Sequence, residues 1–105
     1  VEMMKNPFGA KPPKPGEGPS KEERESGFYD VLFVADGPDG ESLHLGVKGK
    51  YDPGYGSTSR MLSETGIALL NSDADGGVGT PGAFLGEALV NRLQEHADIQ
   101  FAVEN

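Results

Sequence analysis

The sequence predicts a small α+β domain of two layers, in which about three mainly antiparallel strands carry two helices on one face in the order ββααβ. Two early runs alternate apolar and other residues with a period of two and flank a turn segment, which indicates a hairpin. Two later runs place apolar residues at helical spacing, and a final alternating run closes the chain. With 105 residues, one modest core is expected.

The opening segment, residues 1–20, is expected to be a disordered Pro/Gly-rich arm or linker, and residues 21–105 the α+β domain. Proline fixes φ and lacks a backbone N–H, so repeated prolines disfavour both helix and sheet; the segment contains Pro7, Pro12, Pro13, Pro15 and Pro19. Because the chain begins with Val1 rather than Met, we expect an excised or processed piece of a longer chain.

One short helix and two strands are predicted next. Residues 21–26 form a helical turn, because Ser20 and Glu23 have capping-box spacing. From Phe28 the run FYDVLFVA is apolar on both faces, which predicts a central strand. The turn segment DGPDGE follows, and then a half-buried partner strand is indicated by Leu43, Leu45, Val47 and Tyr51.

Two helices and a last strand complete the prediction. The first helix, residues 57–71, is capped by Ser57 or Thr58 and carries an inward stripe of Met61, Leu62, Thr65, Ala68 and Leu69. The second helix starts after Thr80 as N-cap with Pro81 in its first turn, and its stripe is Leu85, Ala88, Leu89 and Leu93. The last strand alternates Ile99, Phe101 and Val103 with other residues.

Composition narrows the class of partner. The formal net charge is −8 and the few basic residues are scattered, so no basic stripe is available for nucleic acid. The chain has no cysteine, which removes disulfides and thiolate chemistry and is consistent with the cytoplasm. Its apolar runs are too short for a membrane span.

The loop Asp52-Pro53-Gly54-Tyr55-Gly56 and the helix start after it form the candidate site. Free N–H groups, hydroxyls and one guanidinium gather there at the positive end of a helix dipole, which suits an anion or a domain contact. The candidate residues are Asp52, Tyr55, Ser57, Ser59 and Arg60. The alternative is a structural turn in which Asp52 caps the helix, Pro53 stiffens the loop and Tyr55 packs.

Other motifs predict no site. Residues 77–82 read GVGTPG, a literal match to the dinucleotide-binding pattern, but SDADG rather than a strand precedes them and Pro81 lacks the N–H that would face a phosphate. We therefore expect no cofactor-binding residue in this chain. His44 and His96 lie far apart without carboxylates at ligand spacing, so no metal site is expected.

Several motifs in combination resemble the saccharopine dehydrogenase-like oxidoreductases, a family that includes trans-acting enoyl reductases. They are PGEGPS at residues 15–20, DPGYG at 52–56, SRMLSE at 59–64, Gly76-Gly77-Val78, Thr80-Pro81, Leu85-Gly86 and the helix from Leu89 to Leu93. The resemblance runs from about Pro15 to Val103. The chain is similar to the closing, C-terminal section of that family.

This resemblance implies a nucleotide-binding Rossmann domain, N-terminal to this chain, that holds NAD or NADP. The present chain would be the domain that completes the substrate side and often mediates pairing of subunits, and it would be non-catalytic when isolated. The resemblance assigns no catalytic residue and leaves open the substrate, the choice between NAD and NADP, and the direction of reaction. The alternative is a stand-alone protein-interaction module, in which the Pro-rich arm docks on a partner.

Overall fold

The structure, a computed structural model, describes residues 14–73 and 75–104. Its elements are α1 (Lys21–Ser26), β1 (Phe28–Asp36), β2 (Ser42–Lys50), α2 (Gly56–Leu70), α3 (Pro81–His96) and β3 (Ile99–Glu104). The predicted α+β class with one antiparallel sheet is confirmed. Most of the predicted arm, residues 1–13, lies outside the described residues. Residues 14–20 contain neither helix nor strand and make one turn, closed by the Glu17 N–H on the Lys14 carbonyl at 2.9 Å.

The three strands form one sheet in the order β1-β2-β3, with both neighbouring pairs antiparallel. In this register Val31 lies opposite Val47, which lies opposite Phe101. The prediction of a central first strand is wrong, because β2 is central and no strand of the described residues pairs with the outer edge of β1. The apolar residues on both faces of β1 indicated burial, but the described part of the fold leaves most of this strand exposed.

The two faces of the sheet differ in chemistry. One face, here called the apolar sheet face, is uncharged and consists of Tyr29, Val31, Phe33, Leu45, Val47, Ile99, Phe101 and Val103. On the opposite face, Lys48 Nζ lies 3.2 Å from Asp30 Oδ2 and 3.9 Å from Glu104 Oε1. Cross-strand ion pairs of this kind are typical of a solvent-facing surface.

The core lies between α3, α2 and the β3 side of the sheet. Its buried members are Leu85, Leu89, Leu93, Ala97 and Ile99, with Val47, Met61, Ala68, Phe84 and Phe101 packed around them. Full burial of one leucine or isoleucine contributes about 1.5–3 kcal/mol. Of the predicted α2 stripe, Met61 and Ala68 pack against the core as expected, whereas the prediction is wrong for Leu62 and Leu69, which are 75% and 47% exposed. The buried residue of α2 is Ser57, which the stripe did not include.

The second long helix is interrupted where the sequence predicted a continuous one. Its start is as predicted, with Pro81 in the first turn and the Thr80 hydroxyl accepting the Ala83 N–H at 3.3 Å. At Gly86, however, φ is 50° and ψ is −130°, so α3 bends there. Beyond the bend, Arg92 Nε meets Glu64 Oε2 of α2 at 2.6 Å, which ties the two helices together.

In the part of the chain that the structure describes, no helix has the length and apolar character needed to cross a bilayer.

Candidate functional site

Asp52 organises the predicted loop. Its Oδ1 accepts the backbone N–H groups of Gly54 and Tyr55, both at 3.0 Å, and its Oδ2 accepts that of Gly56 at 2.6 Å. One carboxylate therefore satisfies three donors at the start of α2. The predicted cap at Ser57 or Thr58 is wrong, because both residues lie inside the helix and the N-cap position is Tyr55. The Asp52 carboxylate accepts the N–H of Gly56, the first helical residue, in place of a capping side chain.

These hydrogen bonds also set the charge state of Asp52. The Gly56 N–H, with smaller contributions from the other two N–H groups and the positive charge of Arg24, holds the pKa of the carboxyl below its usual value, and partial desolvation opposes the change. The end of α1 contacts the loop directly, since the Asp52 N–H donates to the Arg24 carbonyl at 3.0 Å. Gly27 permits this approach, because a Cβ there would lie 2.5 Å from the Asp52 nitrogen.

The backbone of the helix start is not free for an anion. The Ser57 N–H donates to the Asp52 carbonyl at 2.9 Å, and the Ser59 N–H donates to the Tyr55 carbonyl at 3.0 Å. The expectation of unoccupied N–H groups at these two positions is therefore wrong. Two of the three backbone donors at Ser57 to Ser59 are thus used within the loop and helix start.

Ser57 and Tyr55 point away from a common site. Ser57 is fully buried, and its Oγ lies 2.8 Å from the Tyr29 hydroxyl, which links α2 to β1. Gly49 leaves room for this link, because a Cβ there would overlap the Tyr29 ring. Tyr55 is 60% exposed, and its ring passes within 3.8 Å of the position a Gly18 Cβ would occupy.

Arg60 belongs to a charged cluster with partners from two other segments. Its guanidinium carbon lies 3.9 Å from the centre of the Tyr51 ring, a cation–π contact. The Tyr51 hydroxyl donates to Asp98 Oδ2 at 3.3 Å, and Lys50 Nζ donates to Asp98 Oδ1 at 3.1 Å. The side-chain hydrogen bond from Lys50 is the main reason that the pKa of Asp98 is lowered, and the Arg60 charge adds to it.

Two residues of this cluster have left-handed backbone conformations. Tyr51 has φ of 72° and Asp98 has φ of 55°, and among the described residues they are the non-glycine positions with positive φ. Such conformations cost free energy, and those of large side chains persist where the surrounding contacts enforce them. The hydrogen bond between these two side chains, together with the Lys50 N–H on the Asp98 carbonyl at 3.3 Å, provides that enforcement.

Beside the cluster lies a cavity of about 450 Å³, here called the polar groove, bounded by α1, the start of α2 and the end of α3. Its lining has more basic than acidic side chains, although the chain as a whole carries a formal charge of −8. The charged and titratable members are Lys21, Arg24, Arg60, His96, Glu25 and Glu64, and the hydroxyls are those of Tyr51, Ser59 and Ser63. This arrangement suits an anionic group that also offers hydrogen-bond acceptors.

The predicted site residues therefore separate. Ser59 and Arg60 line the polar groove, whereas Asp52, Tyr55 and Ser57 do not. Asp52 holds the loop and Ser57 links α2 to β1. The prediction missed Tyr51 and Asp98, as well as the basic groups of Lys21, Arg24 and His96. These residues come from distant segments, and no local pattern marks the left-handed positions. The sequence shows the capping box of α1, but it does not show which surface of the domain α1 packs against.

The other motifs occupy structural positions. The GVGTPG loop, residues 77–82, follows α2 and not a strand, and the Phe84 ring lies against Gly77 and Gly79. The Ala83 and Phe84 N–H groups donate to the Thr80 carbonyl at 3.0 and 3.3 Å. Across residues 14–73 and 75–104, no three His, Cys, Asp or Glu side chains converge as a metal site.

Comparison with known proteins gives relatives of a single kind. No protein-family model and no solved structure matches the chain. It is 41% identical over 85 residues to a candidate trans-acting enoyl reductase of Mycobacterium tuberculosis, and 38% identical over 87 residues to a trans-acting enoyl reductase of Mycobacterium ulcerans. A trans-acting enoyl reductase of Mycobacterium bovis is 36% identical over 85 residues.

These matches cover 77–79% of this chain but only 20–21% of the relatives. The chain thus spans about a fifth of the length of the curated relatives it matches, and it is related to one segment of proteins named as oxidoreductases.

Proposed function

We propose that this chain is the C-terminal substrate-side or dimerisation domain of a saccharopine dehydrogenase-like, NAD(P)-dependent oxidoreductase and is non-catalytic when isolated. The observation that carries the proposal is the identity of 41% over 85 residues to a relative of which this chain spans only a fifth. A match of this extent to one segment of a larger reductase is what a domain of such an enzyme would give.

The polar groove is the part of the domain that we assign to the substrate side. An enoyl reductase adds a hydride and a proton to a carbon–carbon double bond next to a carbonyl, so negative charge develops on the carbonyl oxygen. Preorganised cations and hydrogen-bond donors stabilise such charge. Arg60, whose guanidinium carbon lies over the Tyr51 ring, is the cation of the groove that we assign to this role. The nicotinamide, bound by the proposed Rossmann domain, would supply the hydride.

A domain exchange tests this assignment. The segment of the M. tuberculosis relative that matches this chain is replaced by the present sequence, and NADH or NADPH oxidation is followed with an enoyl thioester. We expect the chimera to reduce the thioester and the isolated chain to be inactive. A folded chimera that binds nicotinamide but reduces nothing would contradict the proposal.

Substitution of Arg60 then tests the groove. In the chimera, Arg60→Ala should lower kcat/KM tenfold or more, which corresponds to about 1.4 kcal/mol, while the isolated variant should melt almost unchanged. Lys48→Ala is the matched control, because it also removes one positive charge but from the opposite face of the sheet. Full activity of Arg60→Ala together with a lowered melting temperature would make Arg60 a structural residue.

A further inference from the structure

The outer edge of β1 lacks the features that protect the free edge of a sheet. The register of β1 with β2 runs without a bulge from Phe28 opposite Lys50 to Asp36 opposite Ser42. Over its nine residues β1 has no proline and no lysine, and Asp30 is the one charge in its interior. A long, regular, apolar edge of this kind is a template for a further strand.

The apolar sheet face is also incompletely covered on its β1 side. Val31 and Phe33 are 41% and 55% exposed. Beneath α2 they border an apolar cavity of about 470 Å³, whose lining includes Pro53 and Met61 and has no charged side chain. The helices therefore cover Ile99 and Phe101 of β3 and leave Val31 and Phe33 of β1 partly exposed.

The relatives indicate what could occupy this surface. They are about five times as long as the matched segment, since the chain spans 20–21% of each. One continuous stretch that covers 77% of 105 residues necessarily contains β1 and β2. In the relatives, about four fifths of the polypeptide therefore lies outside the segment to which this edge belongs.

We propose that the sheet continues past β1: an additional strand, supplied by the part of the larger polypeptide outside this chain, pairs with the edge of β1 that no strand of the described residues occupies. Its residues that point to the apolar sheet face would be apolar, so that they extend the surface formed by Val31 and Phe33. On the other side Asp30 and Lys48 lie beside the exposed apolar residues Leu32 and Val34, so there the additional strand would be of mixed character. The inference rests on the proposed function, because it requires this chain to be part of a larger protein.

A second copy of the chain is the less favourable occupant. Each copy has a formal charge of −8, so two copies would carry twice that, −16, and like charge opposes association. The edge itself has no basic group that could offset this repulsion.

Hydrogen exchange tests the proposal without using activity. In an edge strand the N–H groups of alternate residues point away from the neighbouring strand and exchange rapidly, whereas a strand paired on both sides protects all of them. We expect alternate β1 amides to exchange rapidly in the isolated chain, which should be a monomer by light scattering. All β1 amides should be protected in the chimera and in the corresponding segment of the M. tuberculosis relative. Rapid alternate exchange in the relative would overturn the proposal.

Two neighbouring substitutions provide a matched pair. Leu32 and Phe33 are both 55% exposed but lie on opposite faces of β1. In the isolated chain, Leu32→Glu and Phe33→Glu should have similarly small effects. In the chimera, Phe33→Glu should lower the melting temperature by roughly 5 °C or more and Leu32→Glu by much less. Equal effects in the chimera would contradict the claim that the additional strand covers the face of β1 that carries Phe33.

The outcomes separate this inference from the proposed function. An inactive chimera with fully protected β1 amides would leave the additional strand standing and remove the enzymatic assignment. An active chimera with unprotected alternate amides would support the enzymatic assignment and overturn the additional strand. A dimeric isolated chain with complete β1 protection would show that the edge pairs with a second copy and would overturn the proposal.

Discussion

Asp52 shows how one side chain can decide between two functions for a loop. The DPGYG segment allowed both an anion site and a capped turn, and the structure uses the carboxylate for three backbone N–H groups. Those donors are then unavailable to a ligand. The anion-attracting capacity of this region therefore lies in Arg60 and its neighbours in the polar groove.

The lowered pKa of Asp52 gives a pH-dependent prediction. A carboxyl whose folded-state pKa is depressed stabilises the fold above its unfolded pKa, about 3.9, and this contribution disappears as pH falls through the folded-state pKa. Asp52→Asn should therefore have a lower urea midpoint than the wild type near neutral pH, and the difference should shrink in acid.

Unfolding curves at neutral pH and at about pH 3 measure this difference. Glu23 and Asp98, whose pKa values are also lowered, are present in both proteins, so their effects cancel in the comparison. A difference that stays constant across this range would show that the Asp52 charge does not act through these hydrogen bonds.

At the scale of single residues, the sequence predicts interactions between neighbouring residues better than contacts between distant segments. The capping box of Ser20 and Glu23 and the Thr80 cap depend on spacings of a few residues, and both are found. Tyr51 and Asp98 meet across 47 residues of sequence, so no local pattern could pair them. Their left-handed conformations follow from packing and not from residue type.

The helices show where periodicity is informative and where it is not. The predicted apolar stripe of α3 included Leu85, Leu89 and Leu93, all of which are buried, and also Ala88, which is exposed. In α2, leucines at adjoining positions allowed more than one stripe, and the buried face turned out to include Ser57 and the ion-paired Glu64. Polar residues on the inner face, such as the Glu64 that is ion-paired with Arg92, conceal a helix register from a hydrophobicity pattern.

Two glycines of these helices should respond to alanine in opposite ways. Gly66 lies inside α2, and a Cβ there would meet no atom within 4 Å, so Gly66→Ala should stabilise the protein by about 0.5–1 kcal/mol. Gly86 has φ of 50° at the bend of α3, so Gly86→Ala should cost about 1–3 kcal/mol although space is available. Urea midpoints of the two variants give both values. Stabilisation by Gly86→Ala would mean that the bend is not a fixed feature of α3.

At the scale of the whole molecule, the sequence predicts the class and element order but not the position of the strands. Alternation and turn residues place the ββααβ elements along the chain, and the structure confirms them. The apolar character of β1 on both faces indicated a central strand, yet β1 lies at an edge of the described sheet. If an additional strand pairs with β1 as proposed, β1 is an inner strand of the sheet in the larger protein, as its apolar sequence predicts.

The isolated chain should bind NADH or NADPH with a Kd no lower than about 1 mM. Pro81 has no N–H, the Ala83 and Phe84 N–H groups are bonded to Thr80, and the Phe84 ring fills the space beside Gly79. The start of α3 therefore lacks three of the donors with which a helix N-terminus would hold a pyrophosphate, and the GVGTPG loop follows a helix rather than a strand. The polar groove could attract the phosphates weakly through exposed cations, but exposed charges are screened by salt and hydration.

Nucleotide fluorescence titrations measure this affinity, with Arg60→Ala reporting any contribution of the groove and Gly77→Ala any contribution of the loop. A Cβ at Gly77 would meet only the Phe84 ring, at 3.5 Å, so that variant should keep its fold. A micromolar Kd that is lost in Gly77→Ala would show that the loop binds the dinucleotide after all. The nucleotide domain would then not have to come from another part of the polypeptide.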